Sequence, residues 1–104
     1  MNAPLKKGIL DVCILHLGAQ AGELYGYDLM RPMKGHFPDI DESTFYAILR
    51  RLHQNGLTEA ISKDSPSGPP RKYYSLTAQG RDWLAESVDE WRSLQAIVRA
   101  IGIE

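Results

Sequence analysis

Cysteine occurs once in the chain, at Cys13. No intrachain disulfide can brace such a fold, and the expected setting is a reducing, cytoplasmic one. Cys13 lies within the run Ile9-Leu10-Asp11-Val12-Cys13-Ile14-Leu15, where a thiol reads as a small core hydrophobe rather than a redox sensor. No apolar run approaches the ~18 residues that suggest a membrane span, and no apolar h-region with a small-residue cleavage site opens the chain. Neither a membrane nor export is expected. The three histidines, His16, His36 and His53, have no metal-ligand spacing and no accompanying Cys or carboxylate cluster, so no metal or other cofactor is expected. There is no Gly-rich phosphate loop, no nucleophile motif and no paired carboxylates on a recognisable scaffold, which argues against an enzyme.

A surplus of charge is lacking too. The net charge is −1, whereas a nucleic-acid partner usually selects a basic surface. The distribution is more telling: nine Lys/Arg stand against eight Asp/Glu through residue 76, and three against five beyond it. The C-terminal segment is therefore the part least suited to touch phosphate. At 104 residues, 43% hydrophobic and 24% charged, the chain suits one compact domain with a single appended element.

Pro4 to about Gln20 reads as a helix, apolar over an arc broad enough for two contacts. A second helix runs from about Gly26 to Gly35; Pro32 predicts that it is short, kinked or divided there. Asp39 to Ser43 supply N-cap candidates for a third helix that ends near Asn55-Gly56. At 100° per residue, Phe45, Ile48, Leu49 and Leu52 share its core face. Ser43, Tyr46, Ala47, Arg50 and Gln54 lie opposite, flanked by Thr44 and Arg51.

Leu57–Lys63 and Arg71–Leu76 read as two short strands around the turn-rich Asp64 to Pro70, a hairpin with a prolonged tip. Thr77 caps a final helix that reaches about Ile101. Leu84, Val88, Trp91, Leu94, Val98 and Ile101 form a narrow stripe along it, of the kind that packs helix on helix.

This order predicts a mainly α fold with a two-stranded hairpin wing: a winged helix-turn-helix over residues 1–76, and a long C-terminal dimerisation helix over 77–104. The third helix suits a DNA major groove about 12 Å wide, with Ser43, Thr44, Tyr46, Ala47, Arg50, Arg51 and Gln54 toward bases and phosphates. Lys34, Gly68, Arg71 and Lys72 are the further DNA-binding candidates, the last three on the wing. Leu5 and Ile9 of the first helix join the final-helix stripe as dimerisation candidates.

Several stretches carry a resemblance: Leu5-Lys6-Lys7-Gly8-Ile9-Leu10-Asp11, Tyr25-Gly26-Tyr27-Asp28-Leu29, Ser43 to Leu52, Gly56-Leu57, and above all Gly68-Pro69-Pro70-Arg71-Lys72-Tyr73-Tyr74-Ser75-Leu76-Thr77. Their order and spacing are similar to those of the PadR family of transcriptional regulators, its smaller members in particular. The resemblance implies a homodimer whose long C-terminal helix crosses the partner's N-terminal helix, and a repressor that leaves a palindromic double-stranded operator on an effector signal. It places Tyr46 where a recognition-helix tyrosine meets the DNA backbone. It also sets Trp91 beside a tryptophan that, in some relatives, walls a pocket for small planar hydrophobic molecules, although plain dimer packing is the favoured role. Ser43 and Ala47 stand where the family commonly has Gly and Pro, so its base preference does not carry over. The rival reading is a winged helix used only for protein-protein contact. A polar, cationic outward face on the third helix favours DNA over that rival, which would favour an apolar patch there.

Overall fold

The computed structural model describes residues 6–104. Its elements follow in the order α1 (Lys6–Ala21), β1 (Leu24–Tyr25), α2 (Gly26–His36), α3 (Glu42–Gln54), β2 (Thr58–Ser65), β3 (Gly68–Leu76) and α4 (Ala78–Ile101). This is the expected mainly helical winged helix-turn-helix with a long C-terminal helix. The expected helix start at Pro4, and the dimer candidate Leu5, lie outside the described residues.

Three helices close around one apolar core. Leu10, Ile14 and Leu15 of α1 meet Leu29, Met30 and Met33 of α2, and Phe45, Ile48, Leu49 and Leu52 of α3 complete it. The α3 core face is thus the one its periodicity predicts. Pro32 does not divide α2, which runs through it as a single short helix of 11 residues. The carbonyl that loses its donor to the proline ring belongs to Asp28, an exposed residue, so water can satisfy it.

Two features of the sheet correct the sequence reading. The hairpin is joined by a third strand, β1, in the order β1-β3-β2. Two residues are too few to carry a periodic signal, and Tyr25 also serves as the extended N-cap residue of α2. The prolonged tip is absent: Ser65 pairs with Gly68 around a two-residue turn at Pro66-Ser67. The pairing shifts register between Lys63 and Ser65, setting Pro69 and Pro70 opposite Asp64. A bulge is where residues without an N–H are tolerated in a ladder.

Helix α4 is anchored to the core before it leaves it. Thr77 Oγ1 accepts from the Gly80 N–H at 2.9 Å and donates to the Gly56 carbonyl at 2.7 Å. Gly80 lets the helix meet the hairpin root, because a Cβ there would fall 2.0 Å from the Leu57 carbonyl oxygen. Leu84 is buried in the protomer's own core. Beyond Val88 the helix is exposed and projects. The radius of gyration is 15.2 Å, against about 13 Å for a compact domain of this length.

Candidate nucleic-acid interface

Burial of Phe45, Ile48, Leu49 and Leu52 fixes the roll of α3 and turns Ser43, Thr44, Ala47, Arg50 and Gln54 to the exterior. Asp41 caps the helix, accepting from the Thr44 N–H and from Ser43 Oγ, each at 2.8 Å. The Thr44 backbone bond, then the Ser43 hydroxyl, hold its carboxyl below the usual carboxylate range. Tyr46 is half-buried, edge-on to Phe45 with ring centroids 5.2 Å apart. Burial, aided by Tyr25 and Glu42, pushes its phenol up, so at neutral pH it keeps its proton and can donate to a phosphate.

The cations expected around α3 divide by their partners. Arg50 is exposed and forms no ion pair among the described residues. Arg51 instead reaches back to α1, where its Nη2 lies 2.7 and 2.8 Å from the two carboxylate oxygens of Asp11. Lys34 Nζ donates to the Ile40 carbonyl at 3.1 Å, tying the end of α2 to the turn before α3. Gln54 is exposed at the C-terminal end of α3.

The two wing cations also part company. Between β2 and β3 the register is regular from Thr58 opposite Leu76 to Lys63 opposite Arg71, so side chains alternate between the two faces. Leu76, Tyr74 and Lys72 share the face toward the helices. Tyr74 meets the first turn of α2 there, where a Cβ on Gly26 would touch Tyr74, Tyr46 and Leu49 at 3.5 Å each. Burial pushes the Tyr74 phenol up, with Arg50 pulling the other way, which places Arg50 close to this face. Tyr73 and Arg71 take the opposite face. Arg71 lies 4.9 Å above the Tyr25 ring, Lys63 is 4.9 Å above Tyr73, and the Tyr25 and Tyr73 rings are 5.9 Å apart. Lys63 is also paired with Glu23. Gly68 opens β3 at the hairpin tip.

Away from α3, the middle of α4 overhangs α1 and the end of α2. Between them lies an open apolar groove of about 460 Å³, walled by Ile9, Cys13, Met33, Phe37, Val88 and Trp91, with His16 and His36 also on its lining. Burial pushes the Cys13 thiol up, so it stays protonated, half-buried against the core rather than within it. Trp91 is 45% exposed, and Leu94, Val98 and Ile101 continue the exposed face. Ile97 and Ile103 are exposed as well. Ile97 falls outside the strict stripe, yet it stands three residues after Leu94 and four before Ile101, a spacing that puts all three on one face.

The sequence reading missed the Asp11–Arg51 pair and the tyrosine row Tyr25–Tyr73. Both join residues far apart in the chain, and no local spacing announces them.

Comparison with known proteins bears directly on this geometry. The family model described as the transcriptional regulator PadR-like family matches residues 14–86, from α1 through the first turns of α4. An uncharacterized protein of Lysinibacillus sphaericus is 34% identical over 101 residues, covering 94% of this chain and 92% of its own length. Two crystal structures align over nearly the full length. A Streptococcus transcriptional regulator superposes with TM-score 0.83 at 32% identity, covering 96% of this chain and 98% of its own. A PadR-like transcriptional regulator from Bacillus cereus gives TM-score 0.82 at 34% identity, with 95% and 96% covered. Among the described residues, no helix is long and apolar enough to cross a membrane. The winged helix with its cationic third helix and projecting α4, the family match and these full-length neighbours lead to one conclusion: the chain belongs to the PadR-like family of transcriptional regulators, DNA-binding regulators rather than enzymes.

Proposed function

We propose that the protein is a homodimeric repressor that reads a palindromic duplex operator with α3 and leaves it when a small planar hydrophobic effector binds. The carrying observation is the outward face of α3, polar and centred on Arg50, which has no ion pair among the described residues, while the opposite face is buried. Arg50 can pair bidentately with guanine, and Ser43 and Gln54 can reach base edges or phosphate. Tyr46 and Lys72 supply backbone contacts beside it.

The exposed apolar surface lies elsewhere, on α4, where Trp91, Leu94, Ile97, Val98 and Ile101 form a largely exposed face. A contiguous apolar face of this kind suits a second copy of the chain. The adjoining groove of about 460 Å³ falls within the ~300–1,000 Å³ common for drug-sized ligands, with Trp91 as a flat wall. Occupancy there would alter the angle between two recognition helices that must meet half-sites about 34–36 Å apart.

Fluorescence anisotropy with the protein's own upstream promoter DNA and a scrambled duplex of equal length, across a salt series, tests the reading. Preference for the promoter by about 10³-fold or more is expected. Equal affinity for both, or no binding, contradicts it and returns the fold to a protein-contact role.

A further inference from the structure

The cation next to Arg50 on the recognition helix is engaged within the protomer. Arg51 Nη2 grips both oxygens of Asp11 at 2.7 and 2.8 Å across 40 residues of sequence, the length range of a charge-assisted hydrogen bond. The Asp11 side chain is only 16% exposed, against 51% for Arg51. A carboxylate so shielded is costly to leave without its partner, so the pair resists Arg51 leaving Asp11 for a phosphate oxygen. The buried residues of both helices are apolar, Leu10 and Ile14 of α1 and Phe45, Leu49 and Leu52 of α3 belonging to one core. Apolar packing is non-directional. A gripped carboxylate is directional, and this one holds Arg51 at the flank of the face that the buried Phe45, Ile48, Leu49 and Leu52 turn outward.

α1 also carries Ile9, Val12, Cys13 and His16 on the wall of the apolar groove. Asp11 thus lies on a helix that faces the groove while holding the helix that faces outward.

We infer that Asp11 is a positioning residue for DNA recognition, acting through Arg51 to set the angle of α3, and that Arg51 is a strut rather than a phosphate contact. The inference rests on the DNA-binding reading above and adds to it a role for a residue of α1 that touches no nucleic acid.

The test compares wild-type protein with Asp11→Asn and Arg51→Met by anisotropy on promoter and scrambled duplexes across a salt series. Circular dichroism fixes a temperature at which each variant is fully folded. A strut predicts that both variants lose promoter affinity by about tenfold or more. It predicts a smaller loss on scrambled DNA, so the specificity ratio falls, and an unchanged slope of log affinity against log salt. Asp11→Asn keeps an acceptor for Arg51 and so reports even if Arg51→Met does not fold.

Two results would overturn the inference while leaving the DNA-binding reading intact. One is a slope lowered by about one per recognition helix in Arg51→Met, the mark of a lost phosphate contact. The other is an unchanged or tightened promoter affinity in Asp11→Asn, which would mean that the carboxylate does not position α3 and only withholds a cation. Wild-type protein without promoter preference would overturn both.

Discussion

Thr58 begins β2 with a hydroxyl that is sealed from solvent and has no hydrogen-bond partner among the described residues. The residue itself is 6% exposed, opposite Leu76 in the ladder. A buried hydroxyl left unpaired costs about 1–3 kcal/mol, and valine has nearly the same shape. Thr58→Val is therefore expected to be neutral or to stabilise by up to about 2 kcal/mol, raising Tm in a thermal melt. A clear loss of stability would mean that the hydroxyl has a partner after all. At this scale the legible residues are those whose role is local. Phe45, Ile48, Leu49 and Leu52 of α3 follow from a period of 3.6, and Thr77 from its place before a helix. Asp11 and Arg51 do not, since each looks like a solvated charge until the fold brings α1 against α3. Leu84 and Trp91 look alike along the stripe, and only the close approach at Gly80 decides that the first is buried within the protomer.

The helices were legible as elements because each spans several turns and carries a cap or a stop; the sheet was legible only in part. A strand of two residues such as β1 offers no alternation to read. Pro69 and Pro70 look like loop residues until a bulge accommodates them. The wing carries an expectation of its own, because Arg71 and Lys72 take opposite faces of β3. Lys72→Ala is expected to weaken promoter and scrambled DNA alike and to lower the salt slope by about one per protomer. Arg71→Ala, which removes a cation from the Tyr25 ring, is expected to leave the slope unchanged and to cost about 0.5–1 kcal/mol of stability. Salt-series anisotropy beside thermal melts separates the two, and equal slopes lost in both variants would put both side chains on phosphate.

Across the whole molecule, α4 sets the shape. The principal extents are 54 × 30 × 21 Å, and the long axis follows from a 24-residue helix that outruns the core it starts on. Its outer half carries Ile97 and Ile101, 55% and 73% exposed, and neither belongs to the protomer's core. Ile97→Glu with Ile101→Glu is expected to leave the protomer folded while weakening self-association by at least about thirtyfold, roughly 2 kcal/mol at a central apolar contact. Sedimentation equilibrium checks this, and an unchanged association constant would take α4 out of the interface. A dimer is suggested by the stripe along the final helix, whereas an effector is suggested by likeness alone, since a groove is a property of three helices together.

The most direct measurement is sedimentation velocity of the protein with its own upstream promoter duplex and with a scrambled duplex. Two chains joined through α4 and reading DNA through α3 predict a complex of two chains per promoter half-site pair that forms well below the concentration needed for the scrambled duplex. A single chain on the promoter, or the same complex on both duplexes, would contradict it.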